Sequence, residues 1–156
     1  AYHSGLADFA FAMQGLGLGP LIDRGSDAQK SNWGPRTARG EAIAAFALTE
    51  PDAGSDAASL TMEARQVGNE WVLTGEKTYI SNGTIADFFT VFARTDGDGH
   101  PGLSCFLVPT GTPGLQVMER IEVAAPHPLA RLRFDGVRLP LDSLIGERGG
   151  GFGIAM

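Results

Sequence analysis

The chain has 156 residues, 12 basic against 18 acidic side chains for a formal net charge of −6, 43% hydrophobic residues and one cysteine. Such a length buries a real core as one domain, or as one domain with pieces of its neighbours. The acidic balance argues against nucleic acid or an anionic membrane surface as the main partner. The 22 glycines and 9 prolines stay below the share that marks low complexity. The longest unbroken apolar run, residues 42–48, is far short of the about 20 residues a bilayer span needs, so no membrane span is expected. Cys105 has no partner for an internal disulfide, which favours a reducing compartment, cytoplasm or mitochondrial matrix. No signal-peptide pattern opens the chain. It begins with Ala1 and ends at Met156 inside an apolar stretch, and so reads as a piece of something longer.

In chain order, Leu6, Phe9, Ala10, Met13 and Leu16 recur near helical spacing with Ser4 as a cap, and the helix is expected to end at Gly15, Gly17, Gly19 and Pro20. Ser26 can cap one or two more turns, stopped by Gly34 and Pro35. From about Glu41 the apolar runs become short and β-branched or aromatic, separated by Gly, Asn, Asp and Pro. Strands are expected at 43–49, 60–67, 70–74, 77–81, 88–94, 103–108, 115–121 and 131–138. Turn signals at Gly68-Asn69, Asn82-Gly83 and residues 96–99 suggest an antiparallel sandwich or barrel. After Gly149, Gly150 and Gly151, residues 152–156 look like the opening of another helix.

Two stretches carry chemistry. In TEPDAGSD (49–56), Pro51 helps end a strand, Gly54 permits a tight, left-handed backbone, and Ser55 with nearby amides can point at an anion. A polar turn whose Ser and Asp satisfy their own backbone is the favoured account on the residues alone. With three acidic side chains in the segment, any phosphate held there needs neutral donors. In GEKTYISNG (75–83), strand alternation puts Tyr79 and Ser81 on one face and Ile80 on the other, so an aromatic plane and a hydroxyl can meet one flat heterocycle. A surface Tyr-Ser pair, or a core aromatic beside a buried hydroxyl, fits equally well. His3, His100 and His127 lack metal spacing and read as surface or turn residues. Cys105 reads as a small buried hydrophobe. GGGFG (149–153) lacks the strand and the Lys-Ser/Thr pair of a phosphate loop. Arg131, Arg133 and Arg138 read as charge on a solvated strand face.

The combination AFALTEPDAGSD (45–56) with GEKTYISNG (75–83) resembles the middle domain of the acyl-CoA dehydrogenases, flavoenzymes that desaturate acyl-CoA thioesters. GSDAQKSNWGPRTARGE (25–41), LSCFLVPTGTPGLQV (103–117) and LRFDGVRLPLDSLIGERGGGFGIAM (132–156) are similar to the family's helical lead-in, strand–turn–strand and exit segment, in the family's order. The resemblance implies a mainly β chain: an antiparallel β-barrel at 41–147, the tail of an N-terminal helical domain at 1–40, and the start of a C-terminal helical domain at 148–156. It implies FAD as cofactor, an acyl-CoA substrate, an electron-transfer flavoprotein or equivalent acceptor, and a homotetramer or dimer at full length.

By the same resemblance, Thr49 meets the flavin pyrimidine edge, and Gly54 and Ser55 the pyrophosphate. Tyr79 covers one ring face in place of a more usual Trp. Ser81 bonds near flavin N5, with Ile80 between them in the cofactor-binding set. Phe46 and Leu48 line the site. The implied reaction removes a proton beside the thioester while a hydride leaves the β-carbon for the flavin. The family's catalytic glutamate belongs to the C-terminal helical domain, so no catalytic residue is assigned here. The loop at 125–129 departs from the family's Ser/Thr-containing pattern. Other readings are an acyl-CoA oxidase or flavin monooxygenase on the same scaffold, or a non-catalytic flavin- or CoA-ester-binding subunit. These 156 residues by themselves are expected to retain FAD weakly or not at all, and to show no turnover.

Overall fold

The computed structural model describes residues 4–96, 102–125 and 127–156. His3, His100 and most of the turn expected at 96–99 lie outside them. Two helices lead in, α1 (Gly5–Arg24) and α2 (Asp27–Ala38). Eight strands follow: β1 (Ala44–Ala47), β2 (Glu63–Val67), β3 (Glu70–Ile80), β4 (Phe88–Arg94), β5 (Leu103–Pro109), β6 (Leu115–Ile121), β7 (Leu129–Pro140) and β8 (Leu144–Ile145). A short helix, α3 (Gly151–Ala155), closes the chain.

The strands form one eight-stranded sheet in the order β6-β7-β3-β2-β4-β5-β8, with β1 paired beside β4. The sheet curls far enough for Trp71 of β3 to meet Phe106 of β5 across its interior, ring centroids 5.3 Å apart. β6 and β8 end the path without pairing to each other, so the barrel-like sheet stays open along one edge. Most pairings are antiparallel as expected, but β1 with β4 and β2 with β4 are parallel. Parallel neighbours are joined by remote crossings, which local turn signals do not report.

Two apolar cores result. One fills the concave side with Met62, Trp71, Leu73, Phe89, Val91, Phe106 and Phe134. The other lies between the convex side and the helices, with Leu21, Trp33, Phe88, Phe92, Leu103 and Cys105. β4 is therefore buried on both faces along almost its whole length, which is why FFTVFA reads as an apolar run broken only by Thr90 rather than an alternation.

The helices outrun their expected stops. Ser4 caps α1 by accepting from the Ala7 amide, but the helix passes through Gly15, Gly17, Gly19 and Pro20 to Arg24. Docking supplies what propensity lacks. Gln14 donates from Nε2 to the Ala42 carbonyl at 2.6 Å and accepts the Ala44 amide at 2.9 Å. A Cβ on Gly17 would sit 2.7 Å from the Ala44 carbonyl carbon, so only glycine lets α1 lie this close to β1. With 20 residues and a mean hydropathy of 1.2, α1 is also long and apolar enough to cross a bilayer by length and composition, which the short apolar runs concealed. α2 starts on a Ser26–Gln29 capping box and runs to Ala38, carrying Gly34 and Pro35 inside it. Gln29 ties α2 to the far end of the sheet, its Nε2 donating to the Asp142 carbonyl at 2.8 Å.

The runs at 70–74 and 77–81 are one strand, β3, interrupted by register shifts between Leu73 and Gly75 and between Lys77 and Ile80. Gly75, at φ 149°, approaches Met62 so closely that a Cβ would stand 2.7 Å from its side chain.

Candidate functional site

The two chemistry-bearing stretches meet where β3 ends beside the chain leaving β1. Lys77 is fully buried, and its Nζ donates to the Leu48 carbonyl and to Glu50 Oε1, each at 2.8 Å. The Thr78 amide donates to the Thr49 carbonyl at 2.9 Å. Glu50, itself buried, accepts the Thr61 amide at 2.7 Å and the Met62 amide at 3.0 Å. Burial pulls the Lys77 ammonium down to about 8, against the opposing pull of Glu50. Burial alone would push the Glu50 carboxyl up; Lys77 and the two amides outweigh it and hold Glu50 below the usual carboxylate range. The pair fixes residues 48–50 against β3.

Beyond this brace lies a cleft lined by Phe46, Leu48 and Thr49 from the β1 side, Tyr79 and Ser81 from the β3 side, and Met13 and Leu16 of α1. Five of the eight expected site residues converge there. The strand-alternation argument is not the reason. Tyr79 takes φ 55°, a left-handed conformation that costs a bulky residue of order 1–3 kcal/mol, and β3 ends at Ile80 before Ser81 is reached. The twist throws the Tyr79 ring outward, 63% exposed, at the rim of the cleft. Ile80 does point away, into the concave core, and its side chain does not line the cleft. Asn82, at φ 62°, turns the chain after Ser81 and anchors it by donating from Nδ2 to the Ala44 carbonyl at 3.0 Å.

Gly54 and Ser55 stand exposed on the loop beyond Ala53 and do not line the cleft. Gly54 is not at positive φ, and a Cβ on it would meet nothing within 4 Å, so neither a left-handed turn nor a close approach requires it in this structure. Asp56 spends its carboxylate on its own turn, accepting the Ala58 amide at 3.1 Å.

His127 departs from the expectation of a surface or turn residue. Its Nε2 lies 3.0 Å from Ser81 Oγ, and its ring meets the edge of Phe9 in α1 at 4.3 Å between centroids. Burial holds its imidazole below the ordinary histidine value. The one signal in the sequence was that the loop at 125–129 reads unlike its family; Pro126 of that loop is outside the described residues. Met13 and Leu16 were likewise missed as wall residues, because α1 was read only as a helical tail. Cys105 is fully buried in the convex core, where burial pushes its thiol up.

The cleft volume of about 150 Å³ is below the roughly 300–1,000 Å³ of a cavity that encloses a small molecule. With the exposed Tyr79 at its rim, and hydroxyls of Thr49 and Ser81 beside apolar Phe46 and Leu48, the residue set fits a flat, polar-edged ring resting against the mouth rather than sunk inside. A larger opening of about 400 Å³ between Arg24, Gly146, Glu147 and α3 carries none of the expected residues.

The fold is thus an open, curled β sheet with a helix laid over the end of one strand and an aromatic–hydroxyl cleft beneath that helix. The chain belongs to the acyl-CoA dehydrogenase family: residues 45–137 match its middle domain. It is 43% identical over 145 residues to the mitochondrial short-chain specific acyl-CoA dehydrogenase of Bos taurus, covering 90% of this chain and 35% of that protein. Its fold superposes with TM-score 0.91 and 35% identity on a probable acyl-CoA dehydrogenase of Mycobacterium abscessus, covering 95% of this chain and 40% of that one. It also superposes with TM-score 0.90 and 35% identity on PigA in its FAD complex, covering 94% and 39%. The chain thus spans about a third of the length of the curated relatives it matches.

Proposed function

We propose that this chain is the flavin-holding portion of an FAD-dependent acyl-CoA dehydrogenase, which converts an acyl-CoA thioester to the 2-enoyl-CoA. The observation that carries the reading is the convergence of Phe46, Leu48, Thr49, Tyr79 and Ser81 on one cleft. It is supported by relatives that are themselves named acyl-CoA dehydrogenases and by a structural neighbour solved with FAD.

When bound, the flavin supplies the two-electron acceptor for the hydrogen leaving the substrate's β-carbon. Tyr79 offers a ring face, and Thr49 and Ser81 offer uncharged hydrogen-bonding groups that hold a polar ring edge without titrating. Phe46, Leu48, Met13 and Leu16 line the inner wall with apolar surface against which a ring can pack. Ser55, with amides near Gly54, remains the proposed anchor for the diphosphate, reached across the exposed loop rather than inside the cleft. Ile80 stays in the proposed set only through its backbone between Tyr79 and Ser81. Among the described residues no carboxylate lines the cleft, and we assign proton abstraction to none of them.

The same reading divides the chain into helical residues 1–40, a middle domain at 41–147 and the start of a further helical region from 148. It makes an electron-transfer flavoprotein the acceptor, a homo-oligomer the assembly, and the cytoplasm or mitochondrial matrix the compartment. The test is to titrate FAD and follow its absorbance on adding a panel of acyl-CoA thioesters. Bleaching under anaerobic conditions is expected for the full-length protein; flavin that stays oxidised with every thioester overturns the reading. Oxygen consumption during turnover would instead make it an oxidase or monooxygenase on the same scaffold.

A further inference from the structure

Ser81 has one O–H and two lone pairs, and its direction decides whether the cleft meets a donor or only acceptors. Among the described residues, the structure gives Ser81 Oγ one hydrogen-bond partner, Nε2 of His127 at 3.0 Å. We infer that His127 is a positioning residue: as the neutral Nε2–H tautomer it donates to Ser81 Oγ, leaving the Ser81 proton free to point into the cleft. The inference rests on the reading of that cleft as a ligand site, and it adds the group that orients the ligand's hydroxyl partner.

The opposite arrangement has a chemical cost at this place. If Ser81 donated to an unprotonated Nε2, its only proton would be consumed and the cleft would meet lone pairs alone. A hydroxyl that accepts from a ring N–H also becomes a stronger donor, because the two bonds polarise one another. The imidazole is held for this task. Phe9 of α1 packs edge-on against the ring at 4.3 Å, and the Leu129 amide bonds the His127 carbonyl at 2.9 Å. Burial lowers the ring's value and so favours the neutral form, in which one nitrogen carries one proton and the choice of tautomer is binary. Because the same ring touches α1, which supplies Met13 and Leu16 to the cleft wall, the hydroxyl is aimed only when that wall is seated.

The experiment has two arms. In the full chain without added ligand, imidazole 15N NMR reads the tautomer; the expected result is a protonated Nε2 whose resonance moves in S81A. An Nδ1–H imidazole overturns the inference. In the full chain titrated with FAD, H127L should weaken binding about fivefold and shift the flavin absorption band, matching S81A, with the double variant no worse than S81A. H127Q, whose side-chain amide can still donate, should restore affinity to within about twofold of the original. If H127L binds FAD with unchanged affinity and spectrum while S81A does not, the inference is wrong. Should the unsubstituted chain take up no FAD, the flavin reading falls by itself, and the tautomer measurement alone upholds or overturns the His127–Ser81 link.

Discussion

Ion pairs leave two adjacent residues of β3 in opposite directions. Lys77 points inward to Glu50 with neither side chain reaching solvent beyond 4%, whereas Glu76 points outward to Arg131 and Arg133 of β7. Arg131 and Arg133 bond Glu76 at 2.9 and 2.8 Å, and they hold its carboxyl below the usual range. The lengths are alike, but the energetics are not. The outer pairs are partly exposed, so water screens them and brings them toward the median worth of about 0–1 kcal/mol of surface pairs. The inner pair gave up hydration and depends on having every donor matched. One decorates the barrel-like sheet; the other determines where residues 48–50 go, and so where Thr49 faces.

The sharpest way to break the contrast is Lys77→Met, which leaves Glu50 buried without its cation. A loss of about 3–5 kcal/mol is expected from urea denaturation. Adding Glu50→Gln should recover part of it, since an amide oxygen still accepts from Thr61 or Met62; no recovery would mean that Lys77 acts by packing alone. Helix α1 offers a second contrast between buried and open positions. Gly17→Ala places a Cβ 2.7 Å from Ala44 and should cost about 1–3 kcal/mol, measured by the thermal midpoint. Gly15→Ala, with nothing within 4 Å, should instead stabilise by about 0.5–1 kcal/mol.

Glu76→Gln should cost no more than about 1 kcal/mol, and the cost should shrink in high salt; a larger, salt-independent loss would erase the distinction drawn between the two pairs. The smallest effect concerns acid. His127 has a folded-state value lowered by burial, so the unfolded chain binds the proton more readily. Its contribution is complete above the ordinary value of about 6.5 and is lost as pH falls through the folded value. Denaturation midpoints between pH 7 and 5 should show that slope, and H127Q should flatten it.

The residues disclosed a good part of this. β4 and β6 fall on the expected spans, since an apolar run bounded by turn residues is a local signal. The convergence of 45–56 with 75–83 was legible only through family likeness, because it is made by Lys77 reaching 27 positions back to Glu50. What stayed hidden was non-local in the same sense. Parallel pairing of β1 with β4, a helix carried through Gly17 and Pro20 by docking, and the two-residue β8 all depend on partners far along the chain. Tyr79 shows a subtler failure. It was expected beside Ser81 on one face, but from an alternation that its positive φ breaks.

The seam between β2 and β4 is the narrowest join in the sheet's path. A single residue pair, Glu63 with Arg94, joins β2 to β4, helped by the Arg94 guanidinium bonding the Ala58 and Leu60 carbonyls. Tyr79 and Ser81 ride with the β3 half, whereas Phe46 rides with β1 on the β4 half. The halves are tied a second time at the cleft itself, where Lys77 bonds Leu48 and Glu50 and Asn82 bonds Ala44, so the cleft's width is held by bonds across it rather than by the seam.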